Sequence, residues 1–211
     1  MVKKRRSFNK LSLPTLLLAS QSPRRRDLLS SAGLRYQQMM PTIRECTAEG
    51  HPPAQVVEYN ARVKAEDALK RKKSKNVIAI GADTLVVIDG QVLGKPKTKR
   101  DVVASLKTLS GRTHDVLTGL ALVSPHFGSR IVTVKSRVTF RKISLKEMVL
   151  YAQTQEPYDK AGAYAVQGLS SIFIKKIDGL YTNVMGLPME VLFDELEKLT
   201  GIPPFYWASS A

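Results

Sequence analysis

LLLASQSPRRRDLLSSAGL, residues 16–34, decides the fold class. Residues 15–20 are near-continuously apolar and read as a short strand buried on both faces, as in parallel sheets. Ser22 and Pro23 then open a helix with Leu28, Leu29 and Ala32 on its apolar side and Gly33 placed to end it. Arg24, Arg25 and Arg26 fill its first turn, where partially positive N–H groups favour acids instead. Two readings stand side by side. The turn is either a solvated basic patch, or an anion site at the end of a buried strand whose guanidinium groups match a multiply charged ligand. In the second reading two of the three arginines face the ligand, and spacing leaves open which two.

Outward from this unit the hydrophobic period keeps alternating. Residues 53–71 read as a long helix, 77–80 and 84–88 as strands, and Asp89-Gly90 as a type I′ turn into a strand at 91–93. Thr98 with Asp101, and Ser144 with Glu147, have capping-box spacing and open helices ending near Ser110 and Gln153. Residues 116–123 and 131–141 read as long strands. A further strand pair, 171–177 and 180–184, is expected to meet at Asp178-Gly179, and a last helix spans 188–199. Hairpins together with strand–helix crossings predict an α/β protein with a mixed sheet.

The chain has 211 residues, 43% of them hydrophobic, enough for one large domain or two small lobes. Its net charge is +15, and five of the basic residues (Lys3, Lys4, Arg5, Arg6, Lys10) precede the first predicted strand. Residues 1–12 are expected to form a disordered basic arm, with nucleic-acid contact as the alternative, and residues 205–211 a C-terminal tail. The remaining charge suits an anionic ligand without separating nucleotide from nucleic acid. A signal peptide is rejected because the apolar run is short and broken by Pro14, and no stretch approaches a membrane span. Cys46 is the only cysteine, which excludes an intrachain disulfide and a four-cysteine metal site. A cytoplasmic protein is expected.

Four places carry chemistry besides the arginines. Asp83 lies in an apolar strand, where an unpaired carboxylate is costly, so it needs a cation or a metal. A structural pair with Lys95 across the hairpin is the competing account. Gly81 allows a bend or a close approach. Lys64 falls within the Val57, Ala61, Ala68 stripe of its helix and either snorkels outward or reaches into a site. Glu45, in a polar loop, reads as solvated when taken alone. In DKAGAYAVQG, residues 159–168, Gln167 has the donor and acceptor to read a base edge, against a tight structural turn as the plainer account. His51, His114 and His126 show no metal or triad spacing.

Together, Ser20-Gln21-Ser22-Pro23-Arg24-Arg25, Gly81-Ala82-Asp83-Thr84, Lys95-Pro96 and the 159–168 stretch resemble the Maf family of nucleotide pyrophosphatases, in order across roughly residues 14–200. The resemblance implies a Maf/Ham1-like (ITPase-like) elongated α/β fold, its domain at 13–204, with a central mixed twisted sheet, a cleft between two lobes and frequent homodimers. It implies hydrolysis of a nucleoside triphosphate to monophosphate and pyrophosphate with Mg²⁺ or Mn²⁺, a house-cleaning activity in some settings. Asp83 would be the catalytic carboxylate, sharing the metal with Glu45. Ser20, Arg24, Arg25, Lys64 and Lys95 would hold the triphosphate, and Arg24, Thr84 and Gln167 would set base preference. The 159–168 stretch resembles the dTTP/UTP branch rather than the 7-methyl-GTP branch. Arg44 departs from the family's usual acid before Glu45. The rival class, a basic nucleic-acid binder, is disfavoured because aromatics are only 7% and are not interleaved with the basic residues.

Overall fold

The computed structural model describes residues 13–208, so the basic arm expected at 1–12 lies outside the described residues. In chain order the elements are β1 (Thr15–Ala19), α1 (Pro23–Ser31), β2 (Tyr36–Gln38), α2 (Pro53–Lys72), β3 (Val77–Ile88), β4 (Gln91–Leu93) and α3 (Lys99–Leu109). They continue with β5 (Thr113–Ser124), β6 (Gly128–Phe140), α4 (Leu145–Tyr151), β7 (Ile174–Asp178), α5 (Tyr181–Val184), α6 (Met189–Thr200) and α7 (Pro204–Ala208). One sheet runs β2-β1-β3-β5-β6-β7, with β4 paired to β3. β1 is parallel to β2 and β3, and every other pairing is antiparallel, so the sheet is mixed as expected.

The expected strands at 77–80 and 84–88 are one continuous strand, because β5 pairs with β3 without interruption from Ala79↔Val123 to Val87↔Asp115. Gly81 therefore makes no break. It serves close packing instead: a Cβ there would lie 1.9 Å from the Ala61 carbonyl oxygen, and one at Gly119 would lie 2.1 Å from that of Val57. Two glycines thus let the α2 backbone rest directly on β3 and β5. The other edge of β3 pairs with β1 as far as Ala19↔Gly81 and with β4 from Val86↔Leu93 onward. Residues 82–85 lie in the gap between those two partners, and the cavity opens there.

The core follows this division. Leu16, Leu18, Ile78, Ile80, Leu120 and Leu122 pack with α1 and α6 on one face, and Leu17, Ala19 and Ala79 meet Ala61, Ala65 and Ala68 of α2 on the other. A separate cluster around Val102, Leu106, Phe140 and Phe173 fills the far end. Both capping boxes form reciprocally, at Thr98/Asp101 and Ser144/Glu147, and Asp89 and Gly90 have the two positive φ values of a type I′ turn.

The strand pair expected at 171–177 and 180–184 is corrected. Only Ile174–Asp178 is a strand, pairing with the end of β6, and Tyr181–Val184 is a helical turn. The reason is tertiary: buried Asn183 donates from Nδ2 to the Val116 carbonyl (3.1 Å) and to Ser136 Oγ (3.0 Å), which draws the segment across the sheet. Two elements were not expected. β2 is short and largely polar, and α7 overlaps the described start of the expected tail, where Trp207 is buried against the α1–α6 face. No described helix is long and apolar enough to cross a membrane.

Candidate functional site

A cavity of about 560 Å³ opens at the gap in the β3 edge. Its lining includes Ser20, Arg24, Arg25, Glu45, Lys64, Asp83, Thr84 and Lys95, every one of which was singled out from sequence. Gln167 is the exception. It is exposed and outside the lining, because the chain around it folds onto Glu156. That carboxylate accepts hydrogen bonds from the Leu169 N–H (2.8 Å), the Ser170 N–H (3.0 Å) and Ser170 Oγ (2.7 Å). Burial alone would raise the Glu156 pKa, but these donors hold it below the usual range. From this segment the cavity receives Asp159, Lys160, Ala161, Tyr164 and Ala165 instead.

The arginine question resolves to Arg24 and Arg25, while Arg26 is exposed and lies off the lining. Arg25 is spread over three acceptors: Nε donates to the Gly186 carbonyl (2.7 Å), Nη1 to Ser20 Oγ (3.2 Å) and Nη2 to Thr84 Oγ1 (3.2 Å). Burial depresses its pKa, and the Asp83 charge opposes that shift. Ser20 Oγ also accepts the Ser22 N–H (3.1 Å), tying the strand end to the helix start. Thr84 Oγ1 lies 3.0 Å from Thr118 Oγ1, whose hydroxyl donates to the Asn183 carbonyl (3.1 Å). Among the described residues Arg24 is held by Asp159 alone, at 3.4 Å, and Lys95 is exposed at the rim.

The acid centre is tighter. Asp83, 8% exposed, does not pair with Lys95. Its Oδ1 accepts from Lys64 Nζ (2.8 Å) and its Oδ2 from Asn60 Nδ2 (2.9 Å). Lys64, 5% exposed, does not snorkel: its ammonium also reaches Glu45 Oε1 (2.9 Å), so one cation bridges the two carboxylates. Removing one partner of such a pair would strand a buried charge, at a cost of about 3–5 kcal/mol. Asn60 was missed from sequence. The available signal was its position four residues before Lys64, on the same helix face. His114, given no role from sequence, is buried with Nε2 2.6 Å from Tyr164 Oη behind the cavity wall. Desolvation lowers its pKa to about 4.

Among the described residues no group of three or more His, Cys, Asp or Glu side chains is placed to hold a metal ion. Asp83 and Glu45 meet on the Lys64 ammonium, and both offer hard oxygen. Two carboxylates without further protein donors fit a cation such as Mg²⁺, which keeps waters and takes its remaining ligands from substrate phosphates.

The family model described as "Maf-like protein" matches residues 15–199. The chain is 41% identical over 184 residues to a dTTP/UTP pyrophosphatase of Thermoanaerobacter sp. (strain X514), covering 87% of this chain and 95% of that protein. It is 43% identical over 190 residues to a dTTP/UTP pyrophosphatase of Bacillus pumilus (strain SAFR-032), covering 90% and 98%. A solved HAM1 protein from Coxiella burnetii aligns over 93% of this chain and 94% of its own, at 15% identity and a TM-score of 0.45.

Proposed function

The chain belongs to the Maf-like protein family, and from that premise we propose that it hydrolyses nucleoside triphosphates, dTTP and UTP foremost, to the monophosphate and pyrophosphate. The observation that carries this reading is the cavity itself. It sets Arg24, Arg25 and Lys95 in one lining with the buried carboxylate of Asp83 and the exposed one of Glu45, joined through Lys64, in a chain 41% identical to a dTTP/UTP pyrophosphatase over most of its length.

The chemistry then follows from the residues. A triphosphate brings about four negative charges, most of which two guanidinium groups and an ammonium group offset on entry. Arg25 needs little reorganisation, since three acceptors already fix its plane. Asp83 takes the proton of a water directed at the α-phosphorus. Lys64 and Asn60 each occupy one lone pair of its carboxylate, leaving a second lone pair on each oxygen for that water. Pyrophosphate departs against the arginines and Lys95, so stabilising the leaving group supplies much of the rate. A divalent cation, Mg²⁺ or Mn²⁺, held by Asp83 and Glu45, supplies further neutralisation of phosphate oxygens when bound.

The test is pyrophosphate release from dTTP, UTP, CTP, dATP, GTP and 7-methyl-GTP, with Mg²⁺ or Mn²⁺. Release from dTTP and UTP, lost in Asp83→Asn, is the expected result. Preference for another base would overturn the substrate assignment and keep the reaction. Silence across the panel would overturn the reaction.

A further inference from the structure

Asn60 spends three of its four hydrogen-bonding positions at one junction. Oδ1 accepts the Cys46 N–H (2.8 Å), while Nδ2 donates one hydrogen to the Cys46 carbonyl (3.0 Å) and the other to Asp83 Oδ2 (2.9 Å). It is 2% exposed, so water does not compete for these bonds. A side-chain amide that grips both backbone polar groups of one residue fixes where that residue sits. The residue before Cys46 is Glu45, the second carboxylate of the centre, and it lies in a stretch without helix or strand between β2 and α2. Nothing else described binds the Cys46 backbone, while Lys64, one helical turn on, closes the same loop from the Glu45 side chain.

We propose that Asn60 is a positioning residue that locks the Glu45 loop to Asp83, setting the separation of the two carboxylates through rigid α2. The proposal rests on the pyrophosphatase reading for its catalytic consequence, but its geometric half stands apart from it. The side chain has a partner on each of two chain segments, and a residue serving α2 alone would need neither.

The test exploits the single cysteine of the chain as a probe of loop position. Asn60→Leu fills the volume without the amide, and Asn60→Ser admits water should the leucine variant fail to fold. Cys46 alkylation by iodoacetamide is expected to accelerate at least about fivefold in either variant and to stay unchanged in Thr98→Ala, a distant helix-cap change. With UTP, kcat is expected to fall about 10- to 100-fold with KM within about twofold, the size expected for a small misplacement of reacting groups. In Glu45→Ala, where there is no second carboxylate to position, the same Asn60 change should cost less than about threefold. An unchanged alkylation rate, or losses that multiply in the double variant, would overturn the proposal. If the parent protein hydrolyses no triphosphate, the pyrophosphatase reading falls, and the alkylation rate alone decides the clamp.

Discussion

On the α2 side of the cavity Asp83 has a partner on each oxygen, both partners lie on one helix, and that helix rests on glycines of the sheet. On the α1 side Arg24 has a single 3.4 Å contact with an exposed aspartate, and Lys95 stands at the rim. Arg25 lies between these extremes, half-buried in the first turn of α1. The difference separates two tasks. A group that moves a proton must be held to fractions of an ångström, which helix-on-sheet packing provides. Cations that gather a flexible polyphosphate gain from adjusting, and turn and rim positions allow that.

The contrast is most sharply broken by changing the rigid side. Asp83→Asn keeps shape and removes the charge, so kcat should drop by about a thousandfold or more while circular dichroism stays native; a loss under tenfold would place the proton transfer elsewhere. Gly81→Ala attacks the packing beneath that centre. With the Ala61 carbonyl 1.9 Å from the new Cβ, urea unfolding should show a loss of about 3 kcal/mol, at the upper end of overpacking costs.

The far wall offers a pH test. The folded protein keeps His114 neutral down to about pH 4, whereas the imidazole of the unfolded chain protonates near 6.5. The unfolded state therefore binds more protons between those values. Stability from this group is complete above about pH 6.5 and is lost as the pH falls toward 4, by on the order of 3 kcal/mol. Urea midpoints compared across that window should fall more steeply in the parent protein than in His114→Gln, and parallel curves would contradict the buried, neutral imidazole. The smallest effect belongs to the loose side. Asp159→Ala removes an exposed carboxylate shared by Arg24 and Lys160, so stability should change by less than about 1 kcal/mol in thermal unfolding. A larger loss would mean that Arg24 is held as firmly as Lys64.

Particular residues show how far local reading reaches. The first strand and helix, both capping boxes and the Asp89-Gly90 turn were legible because each is settled by neighbours within a few positions. Lys64 was legible as an anomaly, a charge inside an apolar stripe, though not as the bridge between Asp83 and Glu45. The segment at 180–184 misled because its apolar pattern suits a strand while the hydrogen bonds of Asn183 to β5 and β6 require a turn. Gln167 carried the right chemistry for base recognition but is turned outward by the chain folding onto Glu156.

What the sequence by itself determined is the alternation of elements, the mixed sheet, the basic character and most of the charged side chains that line the cavity, since periodicity, caps and charge are written locally. Only the tertiary structure decided that Asp83 takes Lys64 rather than Lys95, that Glu45 belongs to the same centre, and that Asn60 joins them. Those contacts cross 14 to 23 residues of chain. They depend on how closely α2 approaches β3, a distance governed by two missing side chains at Gly81 and Gly119 and by the gap between β1 and β4.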